Sequence, residues 1–299
     1  MSKQKKEKEL FESGHNACAG CGPAIAMRQI MKAAGKNTIV TIATGCMEVV
    51  STPYPLTAWN VPVIHSAFEN AGATASGIDA ALKFLDKRND INLIAIAGDG
   101  GTFDIGLQAL SGAIERGHKF LFICYDNGAY MNTGVQRSGA TPKYANTTTS
   151  PYGSKIHGKQ EQIKNMPFII ASHKCYVATA NIAYPQDFMQ KIKKALSING
   201  PSYIQVFTPC QVGWKYPENL TVNLARLAVQ SRASLLYEIE NGIVKLNMPI
   251  ENPKQVKDYL RMQGRFKHMT WDEIKEIQNY VNSEYEKIKK LSDSKIAIF

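Results

Sequence analysis

Two sets of side chains in this sequence have the types and spacing to hold metals, one through oxygen and one through sulfur. The oxygen set is Gly98-Asp99-Gly100-Gly101, followed one helical stretch later by Asp126-Asn127. Asp99 offers a hard carboxylate oxygen and Asn127 a neutral amide oxygen. Mg²⁺ takes such donors when it shares about six oxygens among protein, phosphate and water. Gly98, Gly100 and Gly101 let backbone come close to a diphosphate and leave N–H groups free to bind it. A helix starting near Asp104 would aim its positive end at the same point. The sulfur set begins with Cys18-Ala19-Gly20-Cys21, just ahead of a helix opened by Pro23. It continues with Cys46 in Thr44-Gly45-Cys46 and Cys210 in Thr208-Pro209-Cys210. A lone CxxC pair suits a redox dithiol, half a zinc site or half an iron–sulfur site. Two further cysteines in strand-end loops disfavour the dithiol; a four-cysteine zinc site and an iron–sulfur cluster both stay open. Cys124 and Cys175 sit within apolar strands and are expected in the core.

Such residues need a scaffold that brings many loops to one edge. Apolar, strand-like runs occupy residues 38–43, 61–65, 92–97, 119–125, 175–180 and 202–207, and helical patterns occupy 24–34, 71–88, 104–116 and 186–198. Continuous apolar strands separated by helices predict an α/β fold with a doubly wound, mostly parallel sheet covered by helices on both faces. Sheets of this kind bind ligands at the carboxyl ends of their strands, where most of the candidate residues fall. Residues 128–158 carry no convincing element, and a loop of that length in a compact domain is usually functional. From Thr221 the character changes to a helix reaching about Ser234, a hairpin turn at Asn241-Gly242, and a charged helix over 271–290. The expected organisation is a ligand-binding domain over 1–220 and a C-terminal arm over 221–299.

Composition narrows the class. The chain has 299 residues and 44% hydrophobic content, enough for one large core. No apolar run approaches the ~20 residues of a membrane helix. Met1 to Leu10 are mostly Lys, Glu and Gln, without the apolar stretch of a signal peptide. A soluble cytoplasmic protein is expected, in which six cysteines serve as ligands, nucleophiles or core thiols rather than disulfides. Between Asn127 and Ala178 stand six Lys or Arg and a single acid, Glu161, which is half of the net charge of +10. The motif and aromatic signatures of nucleic-acid modules are missing, so an acidic partner or anionic small molecules fit this charge. Any one lysine is ordinarily a solvated surface side chain.

The pairing of GDG after one strand with Asn after the next resembles the thiamine diphosphate fingerprint of thiamine-dependent enzymes. On GHNACAGCGP, ATGC, HSAFENAGATASG, GDGG, YDNGAYMNTGVQRSGATP and TPCQVGW, in that order over residues 13–215, the chain is similar to the β subunits of pyruvate:ferredoxin oxidoreductase and its 2-oxoacid relatives. The resemblance implies a thiamine diphosphate-binding fold and oxidative decarboxylation of a small 2-oxoacid, with the acyl group passing to coenzyme A and electrons to ferredoxin. Pyruvate is the first choice of substrate; branched-chain oxoacids, 2-oxoglutarate and oxalate serve relatives. It implies Mg²⁺ on Asp99, Asn127 and the Ala129 carbonyl, and a [4Fe–4S] cluster on Cys18, Cys21, Cys46 and Cys210. Thr44, Gly45, Cys46, Phe68, Glu69 and Asn70 would line the cofactor pocket with Gly98, Gly100 and Gly101. Met131, Asn132 and Thr133 would flank the substrate, with Asn132 bonding the oxygen that gains charge. The carboxylate that activates thiamine would come from an α-type subunit, with γ and ferredoxin-like δ subunits completing the assembly. Basic residues after Asn127, Lys155 and Lys159 among them, would draw coenzyme A to the site. Plainer roles stand beside these: Glu69 as a helix cap, His65 as a buried core histidine, His15 as an organiser of the cysteine loop. A non-redox thiamine decarboxylase or synthase would share the oxygen set without needing the cysteines, and a zinc-stabilised interaction subunit would use the cysteines alone.

Overall fold

The computed structural model describes residues 9–299; most of the Lys- and Glu-rich opening read above, residues 1–8, lies outside them. Six apolar runs form parallel strands: β1 (Thr38–Ala43), β2 (Val63–Ser66), β3 (Asn92–Gly98), β4 (Leu121–Asp126), β5 (Tyr176–Asn181) and β6 (Ser202–Phe207). The helices between them are α1 (Gly22–Ala34), which precedes β1, then α2 (Cys46–Ser51), α3 (Ala71–Phe84), α4 (Leu107–Glu115), α5 (Met166–Ala171) and α6 (Pro185–Ser197). After β6 come α7 (Gln211–Trp214), α8 (Thr221–Gln230), the hairpin β7 (Tyr237–Glu240) and β8 (Ile243–Leu246), α9 (Val256–Arg261) and α10 (Trp271–Ser294).

The sheet order is β2-β1-β3-β4-β6-β5-β7-β8, with β7 and β8 antiparallel. Strand order reverses between β1 and β3, the switch point where open α/β sheets leave a crevice. Both faces are covered, which is why the strands read as unbroken apolar runs. Along β3, Ile94 and Ile96 enter one core with Met27, Ile30, Phe188 and Ile192 of α1 and α6. Leu93, Ala95 and Ala97 enter the opposite core, with Ala75, Leu110 and Ile170 of α3, α4 and α5. Cys124 and Cys175 are buried in that second core.

A third core joins the C-terminal elements to the rest: Leu224, Val256, Tyr259, Ile274 and Val281 pack with Trp214 of α7 and with Tyr144 and Ala145 of the long loop. Polar contacts fasten the loop further. His157 Nδ1 lies 2.8 Å from Glu273 Oε1, Tyr144 Oη donates to Glu276 Oε2 at 2.6 Å, and Tyr152 stacks on His268 at 4.5 Å. Thus the loop is held without regular structure beyond the short bridges Tyr130–Gln136 and Tyr152–His157. The two-residue turn forms at Asn241 and Gly242, both at positive φ, and puts β7 on the sheet beside β5.

Boundaries depart from expectation where local geometry intervenes. The helix expected from residue 104 is preceded by a π-helical turn over Gly100–Asp104, and α4 starts only at Leu107. α3 stops at Phe84 because Asp86 takes a left-handed φ of 54°. α8 ends at Gln230, four residues short of the expected stop at Ser234, and α10 runs on to Ser294. Among the described residues, no helix is long and apolar enough to cross a membrane.

Candidate active site

Loops from the carboxyl ends of β1, β3 and β4 enclose a cavity of about 210 Å³ at the switch point. Thr44, Gly45 and Cys46 reach it from β1, Gly98 to Gly101 from β3, and Asn127, Ala129, Met131, Asn132 and Thr133 from β4, with Phe68 arriving from beyond β2. Asp99 is 1% exposed and Asn127 3%. Asp99 Oδ1 accepts the Asn127 backbone N–H at 3.2 Å, and its Oδ2 accepts the Ser138 hydroxyl. One terminal atom of the Asn127 amide lies 3.0 Å from Asp99 Oδ1 and 2.9 Å from the Ala129 carbonyl oxygen. With the amide oxygen at that point, three oxygens converge. Metal–oxygen bonds of about 2.1 Å set neighbouring ligand oxygens about 3 Å apart in an octahedron, so this arrangement suits Mg²⁺. Burial, and then the neighbouring Asp126 carboxylate, push the Asp99 carboxyl well above its usual range. A cation is what the pocket needs to keep that carboxylate ionised.

The cysteine segments meet at the same edge. The Gly22 N–H donates to the Pro209 carbonyl at 3.2 Å, and Thr221 Oγ1 donates to the Gly20 carbonyl at 2.6 Å. A side chain at Gly22 would place its Cβ 2.4 Å from Pro209 O, so the CxxC hairpin can close on the Cys210 loop only through glycine. The Asn16 N–H donates to Val50 O at 2.8 Å, tying the hairpin to α2, whose first residue is Cys46. Burial chiefly pushes the Cys21 thiol up to about 12 and Cys46 up to about 11. Cys210 and Cys18 add to both shifts. The four sulfurs therefore share one electrostatic neighbourhood, while Cys18 itself is exposed. Among the described residues, no three His, Cys, Asp or Glu side chains are grouped closely enough to hold a single metal ion. Asn132 stands where the two sets meet: it lines the cavity together with Cys46, and its amide favours the Cys46 thiolate.

Residues 43–206 match the thiamine pyrophosphate enzyme, C-terminal TPP binding domain. The chain is 57% identical over 281 residues to the pyruvate synthase subunit PorB of Methanocaldococcus jannaschii, covering 92% of this chain and 94% of that one. It is 47% identical over 292 residues to the ketoisovalerate oxidoreductase subunit VorB of Pyrococcus furiosus, covering 95% and 94%. The chain belongs to the β-subunit family of the 2-oxoacid:ferredoxin oxidoreductases. Its fold is also that of the 2-oxoglutarate:ferredoxin oxidoreductase from Magnetococcus marinus, with a TM-score of 0.57 at 22% identity over 75% of this chain and 82% of the other. A β subunit of this family is a thiamine diphosphate-binding chain of a multi-subunit oxidoreductase of the pyruvate synthase type.

Within this family member, several expected residues stand elsewhere. Glu69 and Asn70 do not line the cavity. The chain turns tightly after β2, with the Asn70 N–H bonding Ala67 O at 2.9 Å, so Phe68 faces inward and the next two residues lead into α3. Asn70 is the residue before that helix, without a side-chain cap bond. His65 is exposed rather than buried because β2 is an edge strand; it bonds Thr44 Oγ1 at 2.9 Å and lies 3.2 Å from Glu48 Oε1. His15 stacks on Phe11 at 5.2 Å and accepts the Ala17 N–H at 3.4 Å, ordering the cysteine hairpin. Lys155 is exposed, but Lys159 is only 2% exposed and donates to the Thr141 and Gln162 carbonyls at 2.7 and 3.1 Å. It braces the long loop and is not available to coenzyme A. Tyr125 and Tyr130 also line the cavity, unforeseen. Tyr130 Oη donates to Gly100 O at 3.2 Å, and its place within the YDNGAYMNTG stretch was the one signal for it.

Proposed function

We propose that this chain is the catalytic β subunit of a pyruvate:ferredoxin oxidoreductase, holding thiamine diphosphate through Mg²⁺ and a [4Fe–4S] cluster through Cys18, Cys21, Cys46 and Cys210. The observation that carries the proposal is the convergence of an oxygen site and a sulfur site on one sheet edge, where Cys46 and Asn132 line the same cavity as Asp99, Asn127 and Ala129. Asp99, Asn127 and the Ala129 carbonyl are the proposed Mg²⁺ donors, supported by spacings of 3.0 and 2.9 Å from the Asn127 amide to the other two oxygens. A cluster is proposed over a single zinc because the reaction needs a one-electron acceptor beside the thiamine, which zinc, having no redox chemistry, cannot supply. Thiamine supplies an electron sink for decarboxylation and the cluster a one-electron acceptor. Asn132 would hydrogen-bond the substrate oxygen that gains charge, a contribution of about 2.7–4 kcal/mol.

Asp99 is the only acid lining the cavity among the described residues. This supports an activating glutamate from an α-type partner, with γ and ferredoxin-like δ subunits, ferredoxin and coenzyme A completing the reaction. All six cysteines are free, which suits the cytoplasm. Residues 1–220 carry the chemistry and 221–299 act as the arm that holds the long loop. A branched-chain 2-oxoacid is the second reading, supported by the VorB relative at 47% identity. The test is anaerobic co-purification with the partner subunits, followed by dye reduction with pyruvate, 2-oxoisovalerate, 2-oxoglutarate or oxalate plus coenzyme A. Pyruvate should give the highest kcat/KM; dye reduction by none of them would reject the proposal.

A further inference from the structure

Arg265, between α9 and α10, is 3% exposed, and among the described residues no carboxylate lies within ion-pair distance of it. A buried unpaired cation costs several kcal/mol unless negative charge comes close. Its guanidinium lies 3.7 Å over the Trp214 ring, and its Nε donates to Gln263 Oε1 at 2.9 Å. Nη1 faces Gly128, where an added Cβ would come within 3.2 Å of it and where φ is +72°. The titratable groups that face it are Tyr259 first, then the Asp126 carboxylate and the Cys210 sulfur, and the Trp214 it stacks on follows Cys210 by one helical turn, its backbone N–H donating to the Cys210 carbonyl at 2.9 Å. Trp214 in turn donates its indole N–H to the Asn127 carbonyl at 2.7 Å, and it ends the short helix that starts just after Cys210. One side chain from the C-terminal arm therefore stands behind both ligand loops.

We propose that Arg265 is the counter-charge of the sulfur site: a positioning residue whose buried guanidinium raises the reduction potential of the cluster held by Cys210 and keeps Trp214 against the Asn127 loop. This rests on the cluster reading above. Reduction adds negative charge to a centre already ligated by thiolates, and a fixed positive charge in a low-dielectric wall favours that state. Stacking on Trp214 alone would predict no such effect, since a neutral side chain of similar size can pack there.

The test is an anaerobic redox titration of the co-purified complex, followed by electron paramagnetic resonance, with iron and thiamine measured for every variant. In Arg265→Met, one of the cluster signals should move to lower potential by at least a tenfold change in its reduced-to-oxidised ratio, equivalent to 59 mV for one electron. The other signals should hold. Arg265→Lys should keep that signal near its wild-type position. If Arg265→Met does not assemble, Arg265→Gln, which retains a donor toward Gln263, carries the same expectation. An unshifted set of signals in the neutral variants, with iron intact, overturns the proposal. So does a lysine variant that shifts as far as the neutral ones. A Cys210→Ala complex that keeps all its iron would instead remove the cluster from this chain, and is distinguishable because it fails before any potential is compared.

Discussion

Asp99 and Glu238 are both buried carboxylates on the same sheet, and their surroundings are opposite. Asp99, at the end of β3, is pushed up by burial and by Asp126, and among the described residues no cation pairs with it. Glu238, on β7, meets the Lys194 ammonium at 2.8 Å, the Tyr176 hydroxyl at 2.8 Å and the Asn247 amide at 2.6 Å. Although burial opposes ionisation there, these donors hold its carboxyl down to about 2. A buried carboxylate with a cation among its partners holds a fold together; one with donors but no cation favours a ligand of opposite sign. The catalytic edge and the antiparallel end of the sheet thus divide function from stability.

The sharpest way to break this division is to neutralise Asp99. Asp99→Asn should lower thiamine retention by at least ~100-fold, since even residues one step removed from a metal cost 10–100-fold. Its unfolding midpoint without cofactor should hold or rise, because a buried carboxylate with no cationic partner is gone. The variant should stay brown, whereas Cys210→Ala should lose iron and retain thiamine. Thiamine extraction and iron analysis of both proteins decide this; loss of both cofactors in both variants would mean that the two sites form only as one.

Glu238→Gln should do the reverse, leaving both cofactors in place and lowering stability by about 3 kcal/mol at neutral pH. That figure follows from a carboxyl held at about 2 against its ordinary 4.5. The sign is fixed: a lowered pKa stabilises the fold above the ordinary value, and the stabilisation disappears as pH falls towards 2. Urea titrations of both proteins should therefore converge between pH 4.5 and 2. A constant difference across that window would assign the loss to packing.

The same contrast explains what could be read from the chain in advance. The sheet was legible because its strands are apolar on both faces, and the hairpin because Asn241-Gly242 tolerates positive φ. GDGG and Asp126-Asn127 were legible because consecutive strand ends bring them together over a short separation. Ser138, Trp214 and Arg265 were not, since each reaches its partner across the tertiary fold. Nothing local separates Lys155, which faces solvent, from Lys159, which is buried four residues later. His65 was misjudged for a related reason: a strand's sequence does not say that it will stand at the sheet's edge. The π-helical turn at Gly100–Asp104 differs from an α-helical start by one residue per hydrogen bond, too little to leave a pattern.

Glu276 completes the series as a carboxylate that has partners but little burial. It pairs with Lys143 and accepts the Tyr144 hydroxyl at 2.6 Å, and its side chain is 45% exposed. Those donors hold its carboxyl below the usual range, yet water and salt compete for the same charge. Glu276→Gln should therefore cost no more than about 1 kcal/mol, and the cost should shrink as ionic strength rises. Its clearer effect should be local, since Tyr144 anchors the long loop to α10: limited proteolysis within residues 147–158 should speed up while the unfolding midpoint hardly moves. A loss as large as that of Glu238→Gln and indifferent to salt would show that the arm, and not burial, sets what a carboxylate is worth in this fold.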